Sequence, residues 1–298
     1  MPYYLMLSLA AIFWGGNYVV GRVLVAGIDP FLLSAIRWTL TALLLGLIYW
    51  RRMARECPRV LSDWGRLVGF ASLGQVAFPV TLYMALQTVT SVRTAIYMAA
   101  SPCIVMLLSR VFFGDPLSRR ALLGILVSTL GVLVILSEGQ LSRLRDMGGL
   151  SAGDLWAMGS VLSWAVYCSG LRLKPKGLSS ETFVALSSMI GAVLLIPFAW
   201  SAIEAVQQGE VVLSWNVTRV LGVAYLVIFP SWLAYLFWNR GIAVVGAARG
   251  DIFTHLIPLS GGLLGILLLG EPFGTYHLVG ACCILTGLFL CRRPPSGS

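Results

Sequence analysis

A chain of 298 residues that is 58% apolar and only 11% charged, with mean hydropathy +0.87, is not a soluble domain, which would carry about 25% charge. Apolar runs of about 20 residues, each long enough for a ~30 Å hydrocarbon core, recur along it. They indicate an all-α membrane protein whose first partner is the lipid bilayer; the net charge of +9 therefore needs no nucleic acid to explain it.

Hydropathy punctuated by Gly, Pro and Arg predicts ten spans. They are Tyr3–Val20, Phe31–Trp50, Arg66–Leu86, Arg93–Phe113 and Ala121–Ser137, then Asp154–Leu171, Glu181–Ile203, Asn216–Trp238, Arg249–Leu269 and Gly274–Cys291. The first has no basic flank or small-residue cleavage site, so it is expected to be a kept span and not a signal peptide. Between the fifth and sixth lies the longest polar, Gly-rich stretch, Glu138 to Gly153. The expected organisation is a five-helix repeat over 1–138, a connecting loop at 139–153, a second five-helix repeat over 154–293 and a tail at 294–298.

The second half rewrites the first. At an offset of 156, Arg93 meets Arg249, Pro102 meets Pro258, Gly114 meets Gly270, Pro116 meets Pro272, Gly124 meets Gly280 and Gly131 meets Gly287. Apolar helices match leucines by chance; coincident glycines and prolines mark a duplication. Trp14 likewise has a counterpart in Trp164. In the repeated hairpin, Gly114 can end a helix left-handed, with Asp115 expected to cap the next helix and Pro116 to enter its first turn. Gly124 and Gly131, seven apart, share a helix face that lets a neighbour come close.

Repeats of five spans must enter the membrane from opposite sides. With both termini cytoplasmic, 14 of the 21 Lys and Arg residues fall in cytoplasmic loops, as the positive-inside rule requires. Only Arg22, Arg93, Arg143, Arg145 and Arg219 fall on the far side, and Arg37 and Arg110 within spans. The first hairpin keeps Arg119 and Arg120, whereas the second, turned over, reads Thr275, Tyr276, His277. The expected fold is ten transmembrane helices as two inverted five-helix repeats, the architecture of alternating access.

This duplication, a Pro-centred fourth helix in each half and the Gly-[Asp/Glu]-Pro hairpin resemble the drug/metabolite transporter superfamily in its EamA-type branch. The Trp- and Tyr-rich helices "FWGGNYVVGR" and "LSWAVYCSG" are similar to the bacterial YddG-type amino-acid exporters. The resemblance covers nearly the whole chain. It implies cytoplasmic termini, the bacterial inner membrane and export of neutral amino acids and related metabolites.

Polar groups inside a membrane are costly and therefore point to function. The expected substrate-binding residues are Trp14, Asn17, Tyr83, Tyr97, Trp164, Tyr167, Trp238, Asn239 and His255, around a cavity bounded by the first, third and fourth helices of each half. Trp38, Trp50 and Trp200 lie nearer span ends and read as interface anchors. Arg37 can pair, snorkel outward or meet a substrate carboxylate. Asp251 and His255 stand four apart, which on an α-helix would put them on one face, and no carboxylate is expected deep in a span. Pro79, Pro102, Pro230 and Pro258 are read as mid-helix breaks.

The chain has no phosphate-binding loop, no zinc motif and no Cys-x-x-Cys spacing, so no cofactor, metal or disulfide framework is expected. The favoured function is a monomeric, non-enzymatic secondary transporter or facilitator exporting small neutral or zwitterionic metabolites, among them aromatic or apolar amino acids. The alternatives are a membrane-embedded enzyme acting on a lipid through His255 and Asp251, and an exchanger of phosphometabolites or nucleotide sugars, which would want more cavity cations than Arg37.

Overall fold

The computed structural model describes residues 2–89, 94, 97–116, 118–140, 142, 150–210, 214–269 and 274–292. Every regular element among them is helical. In chain order we label α1 Pro2–Val25, α2 Pro30–Glu56, α3 Trp64–Thr88, α4 Ser101–Phe113, α5 Arg119–Leu136, α6 Ala152–Gly170, α7 Ser180–Gln207, α8 Val217–Val245, α9 247–269 and α10 Thr275–Arg292. Six of these (α1, α2, α3, α5, α7 and α8) are long and apolar enough by themselves to cross a membrane.

Polar caps start the helices where apolar sequence begins. Asp29, Ser118, Ser151, Ser179 and Asn216 each accept a hydrogen bond from a first-turn backbone N–H, and Ser151 with Asp154 forms a full capping box. Gly114 ends α4 left-handed at φ 71°, a conformation that costs a residue with a Cβ. Asp115 does not cap α5, however. Ser118 takes that place, and Asp115 is free to pair with Arg172 of the loop after α6. The second hairpin's Gly270, Glu271 and Pro272 lie outside the described residues, as do Arg93, Arg143 and Arg145.

The helices are interrupted at related places. α3 is π-helical over Ser72–Ala77 and α8 over Val227–Leu233, the same position at the offset of 156. α9 passes through a 3₁₀ turn at Asp251–His255. Of the four prolines read as mid-helix breaks, Pro79, Pro102 and Pro258 follow the π stretch, a turn and the 3₁₀ stretch respectively. Each thus falls in the first turn of a regular α-helical stretch, where proline's fixed φ is accommodated. Pro230 lies inside the π stretch itself.

Burial repeats with the sequence. The twelve buried positions of α3, from Leu67 through Gln75 and Tyr83 to Leu86, and the twelve of α8, from Val223 through Ser231 and Asn239 to Ile242, are the same set displaced by 156. At an offset of 150, buried Leu33, Arg37, Trp38, Thr41 and Leu45 of α2 fall on buried Phe183, Ser187, Ser188, Gly191 and Leu195 of α7. Buried Trp14 and Asn17 of α1 fall on buried Trp164 and Tyr167 of α6.

Packing is exchanged between halves. α1 lies against α8 and α9, and α6 against α3 and α4, while α2 packs on α7 and α5 on α10. The α5–α10 crossing is antiparallel: Gly124 faces the backbone of Gly287, and Gly131 that of Gly280. A methyl group on Gly124 or Gly131 would sit 2.7 Å from the facing carbonyl oxygen, so only glycine allows this approach. At one end of the bundle Glu181 pairs with Arg52 and Arg240, and Asp115 with Arg172. Arg22, at the other end of α1, donates to the carbonyls of Leu86 and Val89 where α3 ends.

Candidate functional site

The π stretch of α8 turns Ser231 toward α2, where it meets Arg37. Arg37 Nε donates to Ser231 Oγ at 2.5 Å, and Nη1 donates to Tyr83 Oη at 2.8 Å and Asn17 Oδ1 at 3.3 Å. Tyr83 in turn donates to Asn17 Oδ1 at 3.2 Å. The guanidinium lies 5.1 Å from the ring centre of Trp38 and is 2% exposed. Arg37 therefore does not snorkel; three neutral oxygens from α1, α3 and α8 hold it inside the bundle. It makes no ion pair among the described residues.

The second half builds a related node from the same positions. Tyr167 occupies the place of Asn17 and Asn239 that of Tyr83, and Asn239 Nδ2 donates to Tyr167 Oη at 3.1 Å. Where the first node has Arg37 and Ser231, this one has Ser187 and Gln75. Ser187 is satisfied by the Val184 carbonyl, while both amide atoms of buried Gln75 lack a partner among the described residues. Beside Asn239 a cavity of about 190 Å³ is lined by Ser169, Arg172 and Lys174. It opens at the end of the bundle where the ion pairs lie. Burial pushes the Lys174 ammonium pKa down, against the opposing pull of Glu181 and Glu56.

Aromatic rings join the nodes. Trp14 packs edge-on to Trp164, Trp238 and Tyr235 with centroids 4.9, 5.1 and 5.8 Å apart, and Trp38 meets Tyr235 at 5.4 Å. In this cluster most buried polar ring atoms are satisfied. Trp14 Nε1 donates to the Pro230 carbonyl and Tyr235 Oη to the Gly74 carbonyl. Gly74 and Pro230 are equivalent positions in the two π stretches, where the helical ladder leaves carbonyls for such bonds. Trp238 Nε1 donates to Cys168 Sγ at 3.3 Å; Trp38 Nε1 lacks a partner among the described residues. Trp38 is thus a core residue and not an end anchor, whereas Trp50 and Trp200 are exposed.

Of the residues expected to bind substrate, Trp14, Asn17, Tyr83, Trp164, Tyr167, Trp238 and Asn239 come together here. Tyr97 lies half-buried against Ala85, Val89 and Ala157. His255 is buried elsewhere, with Nδ1 2.7 Å from Ser128 Oγ and Nε2 3.0 Å from the Ala99 carbonyl. Asp251 corrects the expectation that no carboxylate lies deep in a span. It is fully buried and accepts from Ser101 Oγ at 2.6 Å and Trp164 Nε1 at 3.0 Å. Asp251 and His255 share no hydrogen bond among the described residues. The 3₁₀ turn carrying them has three residues per turn, so positions four apart point about 120° from one another. Ser231, Ser101 and Asp251 were not among the expected binding residues. The repeat offset pointing from Tyr83 to Asn239 was a signal that also places Ser231 opposite Gln75.

Comparison with known proteins decides the family. The EamA-like transporter family model matches residues 1–137 and 151–293. The chain belongs to the EamA-like transporter family. Its two matched segments coincide with the two repeats, and the apolar helices make this EamA-family protein an integral membrane transporter. It is 25% identical to the uncharacterized transporter YyaM of Bacillus subtilis over 96% of this chain and 92% of that one. It is likewise 25% identical, over 95% of this chain and 92% of the other, to a Salmonella typhimurium protein named "Probable amino-acid metabolite efflux pump". A solved crystal structure, 18% identical, superposes with a TM-score of 0.75 over 97% of this chain and 96% of its own, a likeness of fold.

Proposed function

We propose that this protein is a monomeric secondary transporter or facilitator of the bacterial inner membrane, with both termini cytoplasmic. It exports small neutral or zwitterionic metabolites, including amino acids with aromatic or apolar side chains, by alternating access. The observation that supports this best is the pair of equivalent nodes, Asn17–Tyr83 and Tyr167–Asn239, built by inverted repeats around shared aromatic rings. Two related half-sites suit a machine that rocks between two related states. The antiparallel α5–α10 crossing supports the inversion, and the Salmonella relative's name supports amino-acid export. Trp14, Trp164 and Trp238 would take the apolar part of the substrate.

The enzyme reading needs Asp251 and His255 to act as a unit, and their separate hydrogen bonds disfavour it. A phosphometabolite or nucleotide-sugar exchanger would want cations clustered at these rings, whereas Arg37 lies against Trp38 and Arg172 and Lys174 line the separate cavity toward the bundle end. The test is flux of labelled L-phenylalanine and L-tryptophan in vesicles holding the purified protein. Trp164→Phe, which keeps a ring but removes the bond to Asp251, should slow flux several-fold with folded protein unchanged. A facilitator will equilibrate substrate without responding to an imposed pH gradient. No protein-dependent flux of either amino acid would overturn amino-acid transport.

A further inference from the structure

Arg37 is a buried cation whose fold does not require a cation. By the offset that aligns the buried faces of α2 and α7, its counterpart is Ser187, and the second node closes its Tyr–Asn bond without any charge. The chain thus contains its own comparison: one node charged, one neutral, in the same architecture. Keeping an ionised side chain at depth costs about 3 kcal/mol even on lenient scales, and no carboxylate among the described residues offsets it here. Of the five N–H donors of a guanidinium, Nε and Nη1 reach Ser231, Tyr83 and Asn17. Nη2 has no acceptor among the described residues.

We infer that Arg37 binds the carboxylate of the transported molecule. The planar guanidinium matches a carboxylate with two parallel hydrogen bonds. Once the carboxylate takes those donors, Asn17 Oδ1, Tyr83 Oη and Ser231 Oγ are released as neutral acceptors beside it. In an α-amino acid the ammonium lies within a few ångströms of the carboxylate, so these oxygens can receive it. Its side chain then meets Trp38, which packs beside the guanidinium, and beyond it Tyr235 and Trp14 of the ring cluster. The substrate class is a carboxylate with an aromatic or apolar side chain, zwitterionic when it carries the ammonium. The charged node reads its head group, while the node of Tyr167, Asn239 and Gln75 does not.

This inference rests on the transport reading for the reason an anion visits the site, and it is tested separately by binding. The full-length purified protein is titrated with L-phenylalanine, phenylacetate, L-phenylalanine amide and phenethylamine, which share a ring and differ in head group. Binding is read by Trp emission, since Trp38 stacks beside Arg37, and by ligand-induced thermal stabilisation. The two carboxylates should bind on the order of a hundredfold more tightly than the amide and amine. Arg37→Gln should level the series. If Arg37→Gln fails to fold, Arg37→Lys, which keeps the cation, decides: where it still yields folded protein, it should retain a weakened preference, by roughly tenfold. Equal binding of all four by the wild type, an Arg37 variant with undiminished preference, or no binding of any of them would overturn the inference. Flux of phenylalanine undiminished in Arg37→Gln vesicles overturns it while leaving transport standing. Arg37-dependent carboxylate binding without flux upholds it and overturns transport instead.

Discussion

Tyr83 and Asn239 occupy one position in two repeats, and each bonds to the first helix of its own repeat with the residue types exchanged. Tyr83 donates to Asn17, and Asn239 donates to Tyr167. A phenol and a carboxamide are both donors and acceptors, so either order completes the bond.

That relationship predicts a measurable coupling. Tyr83→Phe removes the phenolic oxygen from both Arg37 and Asn17 and should cost about 1.5–3 kcal/mol, as for hydrogen bonds to charged groups. Asn17→Tyr with Tyr83→Asn writes the second node's order into the first and should recover part of the loss from either single change. Unfolding in lipid or detergent, run as a double-mutant cycle, measures it. Strictly additive effects would show that the two side chains do not act together.

The α5–α10 crossing should be intolerant of bulk. Gly124→Leu or Gly287→Leu places a side chain against the facing backbone and should cost at least 1–3 kcal/mol, seen as loss of folded protein. Gly114→Ala meets nothing within 4 Å and should cost about 1 kcal/mol through its left-handed φ alone. The ordering of these losses, by fluorescence-detected chromatography after heating, is the check.

Topology can be read by labelling. Cysteines replacing Ser118, before α5, and Gly274, before α10, should react with an impermeant thiol reagent from opposite membrane faces. Helices that run antiparallel across the same crossing begin at opposite ends. Reaction of both from one face would refute inverted repeats.

The Arg172–Asp115 pair should have a small, pH-limited effect. The Arg172 guanidinium holds the Asp115 carboxyl below its usual pKa. A lowered folded-state pKa means the contribution is complete above the ordinary Asp value of about 3.9 and is lost as pH falls below it. Both side chains are about one-third exposed, so solvent screening limits Asp115→Asn to roughly 0.5 kcal/mol at neutral pH. Comparing wild type and variant in thermal unfolding from pH 7 down through about 3.9 should show the difference shrink toward the acid end.

Much of the candidate site was legible before any tertiary contact was known, because it is written as repetition. The offset of 150 joining Trp14 to Trp164 and that of 156 joining Tyr83 to Asn239 named four of its residues. Trp38 was misplaced because its distance from a span end suggested an interface; a residue near a helix end is still buried when that end is covered by α8. Asp115 and Asp251 were misread for related reasons. Capping and shared faces were inferred from ideal α-helical geometry, and the chain caps α5 three residues later, at Ser118, and uses a 3₁₀ turn in α9.

The amino-acid sequence by itself determined the membrane class, the ten segments, the duplication and the places where glycine was needed. These depend on composition and periodicity, which neighbouring residues report directly. Only the tertiary structure decided that α1 and α6 each lodge in the opposite repeat, that Asp251 and His255 part company, and that Arg37 is closed in by Ser231, 194 positions away. The π stretches in α3 and α8 turn those side chains inward and free the Gly74 and Pro230 carbonyls. Hydropathy cannot register them, because inserting one residue into a helical turn changes direction without changing apolarity.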